Sequence, residues 1–126
     1  MNTPLLQQLS EACADAVAVL LLRDDGVPIA QVSRSVSTDV ARPPSATSES
    51  LGPQLVGVLL EVRRTAQVLE YGAMAEIEVS SDRLTLLVRA VGLRHYLALI
   101  LAPDGNVGRG RFLLRTFGPR LAAVLA

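Results

Sequence analysis

Three stretches set the pattern of the chain. Residues 16–23, "AVAVLLLR", stay apolar up to the closing arginine, and 84–91, "LTLLVRAV", and 95–102, "HYLALILA", are nearly as apolar. Runs of this length between turns predict strands, and continuous apolarity in the first and last predicts burial on both faces. Residues 73–80, "AMAEIEVS", alternate instead. Ala75, Ile77 and Val79 point one way, and Met74, Glu76, Glu78 and Ser80 the other. Asp24-Asp25-Gly26 makes a hairpin turn, because Asp-Gly tolerates positive φ. Residues 27–33, "VPIAQVS", return as the partner strand, and Pro28 assigns that strand to a sheet edge because it cannot donate to a ladder.

Helical spacing appears in three other places. Thr3 caps a first helix with Pro4 at its first position; Leu5, Leu6, Leu9, Ala12 and Cys13 form the stripe, and the helix ends near Ala14. The second helix runs from about Ser50 to Leu69, with Pro53 in its first turn. Leu51, Leu55, Val58, Leu59, Val62, Ala66 and Leu69 make its stripe, Val56 and Leu60 widen it, and Gly57 leaves room for close approach. One stripe suffices for a surface helix; "LVGVLLEV" needs a second cover beyond its own sheet. The last helix spans Val107 to Leu125, with Phe112, Leu113, Phe117, Leu121 and Val124 facing the core and Gly118-Pro119 as a kink or interruption. Between the second strand and the second helix, residues 34–49 are rich in serine and proline and read as a mobile loop.

The element order is therefore αββαβββα in a single domain over 1–126. Short turns within each strand group make the sheet antiparallel. Placing the two most apolar strands together at the centre gives the order 2-1-5-4-3. Two-sided burial then puts the first and third helices on one face and the second on the other, an α/β (α+β) three-layer α-β-α sandwich.

Composition narrows the function classes. The 126 residues carry twelve arginines and no lysine against twelve acids, for a net charge of zero. Seven arginines and one acid fall in residues 83–126. A basic face for an anionic partner is one reading; the better one is neutralisation by Glu11 and Asp15 of a neighbouring first helix. Nucleic-acid binding would want stacking aromatics or a basic motif, and only two Phe, two Tyr and no Trp are present. No apolar run approaches the ~20 residues of a membrane span. Cys13 is the sole cysteine, which excludes an internal disulfide and a cysteine zinc cluster. No basic segment precedes an apolar run at the start, so a cytoplasmic protein without membrane insertion is expected.

Candidate chemistry is sparse. Gly105, Gly108 and Gly110 follow a strand and open a helix, as phosphate loops do. Their G-x-x-G-x-G spacing matches neither nucleotide fingerprint, and no lysine follows. A Pro103-Asp104-Gly105-Asn106 turn explains them better. His95, the only histidine, has no partner at motif spacing. Asp24 and Asp25 are explained by the hairpin, Glu76 and Glu78 by a solvated strand face, and Arg63-Arg64 by an ordinary helix surface. No catalytic, cofactor-binding or metal-binding residue is expected, and no enzyme activity of the chain's own.

The element order, "LLLRDDGVPIAQ", the apolar second helix and "LALILAPDGNVGRGRFLLR" together resemble the Roadblock (dynein light chain-like) family over residues 3 to 125. Profilin-like, PAS and GAF folds share much of this layout. The resemblance implies a profilin-like fold and a homodimer in which second helices pack antiparallel and third strands pair across a two-fold axis. The implied interface is Leu55, Val56, Val58, Leu59, Val62, Ala75, Ile77 and Val79. Glu76 and Glu78 depart from it, since they would face their symmetry copies unless they point to solvent or meet Arg63 or Arg64. Bacterial members act with small Ras-like GTPases, and some, of the MglB type, accelerate GTP hydrolysis without an arginine finger. A partner platform of Gln54, Glu61, Arg64, Thr65 and Val68 is implied. The competing expectation is a PAS- or GAF-like module sensing a small molecule between sheet and helix.

Overall fold

The computed structural model describes residues 2–33 and 48–125, with backbone alone for 48–51. Its elements are α1 (Thr3–Ala12), β1 (Ala16–Arg23), β2 (Pro28–Ser33), α2 (Ser48–Val68), β3 (Glu76–Ser80), β4 (Thr85–Val91), β5 (His95–Leu101) and α3 (Val107–Leu125). The strands form one sheet in the order β2-β1-β5-β4-β3, every neighbouring pair antiparallel. The expected order holds for the expected reasons. β1 is buried at all but its last residue and lies beside β5, with Val19 opposite Leu99 and Leu20 opposite Ala98. The proline-bearing β2 and the glutamate-bearing β3 take the two edges.

Alternation along the central strands divides the apolar residues into two cores. Val19 and Leu21 face α1 and α3, where Leu6, Leu9, Cys13, Leu97, Leu99, Leu114 and Leu121 close one layer. Ala18, Leu20 and Leu22 face α2 and meet Leu55, Leu59, Val88, Ala98 and Ile100. Each fully buried leucine contributes about 1.5–3 kcal/mol. The layers are unequal. Five strands spaced ~4.8 Å apart make a face ~20 Å wide, whereas one helix with its side chains is ~10–12 Å across. Two helices cover such a face and one does not, so the α2 side is left part-open.

Two turns position the helices. Gly26 has φ of +90° and its N–H bonds the Arg23 carbonyl at 2.9 Å, closing the β1–β2 hairpin. At the other end of the fold, Asn106 caps α3: its Oδ1 accepts the Arg109 N–H at 2.9 Å.

Several details differ from the sequence expectation. Asn2, not Thr3, holds the cap position of α1, without a side-chain hydrogen bond, and the helix stops at Ala12 as Cys13 turns extended. α2 starts at Ser48, so Pro53 is inside the helix and not in its first turn. The loop expected at 34–49 lies, up to residue 47, outside the described residues. α3 continues through Gly118-Pro119 without interruption. Its buried stripe is Gly110, Leu113, Leu114, Phe117, Gly118 and Leu121, while Phe112 and Val124 are exposed. Gly57 has open space where a Cβ would sit; the close approach is made by Gly52, whose Cβ would stand 2.2 Å from the Gly26 carbonyl oxygen.

Candidate interaction surface

The part-open α2 side gathers most of the residues expected at an interface. Val58 is 48% exposed, Val56 and Val62 are half-buried, and Leu60, Val68 and Leu69 are exposed on the same helix or just past its end. Leu55 and Leu59 must be removed from the set. They point straight at the sheet, are 4% and 1% exposed, and belong to the protomer's own core. On β3, Ile77 is half-buried against the α2-side core and Val79, two residues on and therefore on the same face, is 46% exposed. Ala75 precedes the strand and is exposed. Among the described residues β3 pairs only with β4, so its outer edge keeps backbone donors and acceptors open.

Sequence reasoning missed Tyr71. The end of α2 closes with the Tyr71 N–H on the Ala66 carbonyl (2.8 Å) and the Glu70 N–H on the Gln67 carbonyl (3.1 Å), with Glu70 left-handed at φ +59°. This helix-ending motif normally uses glycine. It turns Tyr71 back along the helix, where it lines an apolar groove of about 320 Å³ with Val62, Ala66 and Leu69. Tyr71 is one of four Phe or Tyr residues in the chain and is 79% exposed; an aromatic just past an apolar helix was the available signal.

Gln54, Glu61, Arg64, Thr65 and Val68 all lie on the solvent side of α2, and all five are exposed. Their spacing of seven, three, one and three residues keeps them on one strip of the helix. Glu61 and Arg64 form an ion pair at 3.8 Å with both side chains about three-quarters exposed. At that exposure it contributes little to stability and leaves both groups available.

The charges of β3 are ion-paired within the protomer and do not meet Arg63 or Arg64. Glu76 Oε2 accepts from Arg89 Nη1 at 2.6 Å and from Arg115 Nε at 3.0 Å, and Glu78 Oε1 pairs with Arg111. Arg63 instead donates to the Tyr96 hydroxyl at 2.8 Å. Three of the seven arginines of the basic C-terminal third are thus paired with β3. Of the first helix's neighbourhood, Glu11 accepts from Gln7, and Asp15 takes the Asn106 N–H at 2.8 Å.

That last contact belongs to the turn of the glycine-rich stretch. The Gly105 N–H bonds Ala102, the Arg109 and Gly110 N–H groups bond Asn106, and the Asp15 carboxylate takes the Asn106 N–H. Gly110 serves packing: a Cβ there would lie 2.8 Å from Leu87 Cδ1. His95 begins β5 opposite Val91 and Arg23. Asp25 is occupied by Arg23 at 2.5 Å, and that guanidinium, followed by the Val27 N–H, holds its carboxyl below the ordinary 3.8. Among the described residues no group of three His, Cys, Asp or Glu side chains could hold a metal ion, and no helix is long and apolar enough to cross a membrane.

No protein-family model and no curated protein matches the chain. Solved structures do. Gliding protein MglB from Thermus thermophilus superposes with a TM-score of 0.81 at 18% identity, over 96% of this chain and 85% of that one. A Roadblock/LC7 domain from Streptomyces avermitilis gives 0.71 at 16% identity over 93% and 94%. Acanthamoeba castellanii profilin II gives 0.58 at 9% identity over the whole of both chains. At such identities the likeness is one of architecture, and the chain has the profilin-like sandwich in the form found in MglB and Roadblock/LC7 domains.

Proposed function

We propose that the chain is a homodimeric regulator or scaffold of a small Ras-like GTPase, with no catalytic residue of its own. The observation that carries the reading is the uneven cover of the sheet. α2 leaves Val58, Leu69 and their neighbours exposed on the same side as Val79, next to an edge strand with open hydrogen-bonding groups. A second copy supplies both missing covers: its α2 against α2, its β3 against β3. The interface is then Val56, Val58, Val62, Ala75, Ile77 and Val79, joined by Leu69 and Tyr71. The strip Gln54, Glu61, Arg64, Thr65 and Val68 faces the GTPase, in a cytoplasmic setting.

The GTPase as partner follows from the Roadblock resemblance and from the likeness to MglB. Regulation of the kind the Roadblock resemblance implies holds the GTPase's own catalytic groups in place without an arginine finger. A small-molecule sensor would use the cleft between α2 and the sheet, at Arg63, Met74, His95 and Tyr96. Its volume is about 160 Å³, below the ~300–1,000 Å³ usual for ligand pockets, and this favours the protein-partner reading.

The test is to mix the purified protein with a small Ras-like GTPase of the same organism, in each nucleotide state, and to measure binding and GTP hydrolysis. Binding with faster hydrolysis identifies an activator, and binding alone a scaffold. Absence of binding in both nucleotide states, together with a small molecule retained in native mass spectrometry, would replace this reading by the sensor.

A further inference from the structure

Self-pairing of β3 raises a charge problem. A two-fold pairing that keeps both α2 helices on one side places Glu76 and Glu78 of both copies on the same opposite face. Neighbouring carboxylates on one face of an antiparallel pair lie ~5–8 Å apart and destabilise it. Yet both are held within the protomer. Glu76 and Glu78 are 17% and 29% exposed as side chains, and three guanidiniums from Arg89, Arg111 and Arg115 cover them. The five groups carry a net charge of +1, from three cations and two anions. Arg111 and Arg115 reach the strand from α3, on the layer remote from the apolar interface.

We propose that Arg111 and Arg115 are specificity residues for self-association: they neutralise the β3 edge so that a second copy's β3 can pair with it. The inference rests on the homodimer reading above and goes beyond it by assigning the decisive electrostatics to α3, a helix outside the interface. The occupant of the edge is another copy of this chain. Each copy brings its own arginines, so the carboxylates of the joined strands meet already ion-paired.

The experiment is sedimentation equilibrium on four proteins: wild type, Arg111→Gln/Arg115→Gln, Glu76→Gln/Glu78→Gln, and the quadruple variant, with circular dichroism as the folding control. The arginine double variant is expected to raise the dimer Kd at least roughly tenfold at low salt and less at ~1 M salt, where the Debye length is ~3 Å. The quadruple variant is expected to return close to the wild-type Kd, because it removes the repelling charges themselves. If the arginines only tether α3, the quadruple variant stays as weak as the double, and the inference falls. An unchanged Kd in the arginine double variant overturns it equally, with the homodimer intact. A monomeric wild type overturns the homodimer reading itself. Should the double variant unfold, Arg111→Gln with and without Glu78→Gln makes the same comparison.

Discussion

Asp15 and Asn106, ninety-one residues apart, are joined by a 2.8 Å hydrogen bond from the Asn106 N–H to the Asp15 carboxylate. Asp15 ends the α1–β1 connection, and Asn106 is the cap of α3. The Asp15 carbonyl also takes the Ala102 N–H at 3.0 Å, so one residue ties the start of the sheet to the turn before α3. Asp15→Ala removes a charge-assisted bond at a half-exposed site and should cost about 1 kcal/mol, read as a lower urea midpoint with an unchanged slope. An unchanged midpoint would mean that water replaces the carboxylate without loss.

Val58 and Leu59 are adjacent and should behave as opposites. Leu59→Ala opens the α2-side core and should cost about 2–5 kcal/mol in unfolding free energy. Val58→Glu leaves the protomer folded and should yield a monomer by light scattering. A soluble, unchanged dimer from Val58→Glu would remove α2 from the interface.

Gly52 and Gly57 form a second contrasting pair. A methyl group at Gly52 would collide with the Gly26 backbone, which cannot move aside as a side-chain tip can. Gly52→Ala should therefore destabilise by roughly 2 kcal/mol, in the range of overpacked sites. Gly57→Ala meets nothing within 4 Å and should stabilise the isolated protomer by about 0.5–1 kcal/mol through helix propensity. Thermal unfolding of both variants checks the signs.

The Arg23–Asp25 pair makes the hairpin acid-sensitive. The folded-state pKa of Asp25 is depressed, so its contribution is present above the unfolded-state value and is lost as pH falls through the folded one. The difference in Tm between wild type and Asp25→Asn should be largest near neutrality and vanish well below about pH 4. A pH-independent difference would assign the effect to the turn alone.

Sheet order was legible because two features are local: the proline of β2 and the unbroken apolarity of β1 and β5. The core face of α3 was not. Two of its six buried positions are glycines, which hydropathy does not mark, so Phe112 took the place of Leu114 in the expected stripe. Arg109 lies over the exposed Phe112 ring at 5.7 Å. The partners of Glu76 and Glu78 were equally hidden. Arg111 lies 33 residues from Glu78 and Arg115 lies 39 from Glu76, and no local rule gives the register of a helix over a sheet edge. Leu55 and Leu59 were misassigned to the interface because an apolar stripe does not say which part its own sheet claims. The strip Gln54, Glu61, Arg64, Thr65 and Val68 came from the family resemblance, and what the fold adds is that its residues share one exposed side of α2.

Cys13 is the only thiol in the chain and is 1% exposed, sealed where α1 meets the core that also holds α3. Its rate of reaction with a thiol reagent is therefore a clock for the lifting of that layer. Events confined to α2 and β3, including the exchange of one partner for another, leave the clock unchanged. The α1 and α3 side of the sheet can thus be timed on its own with the native thiol.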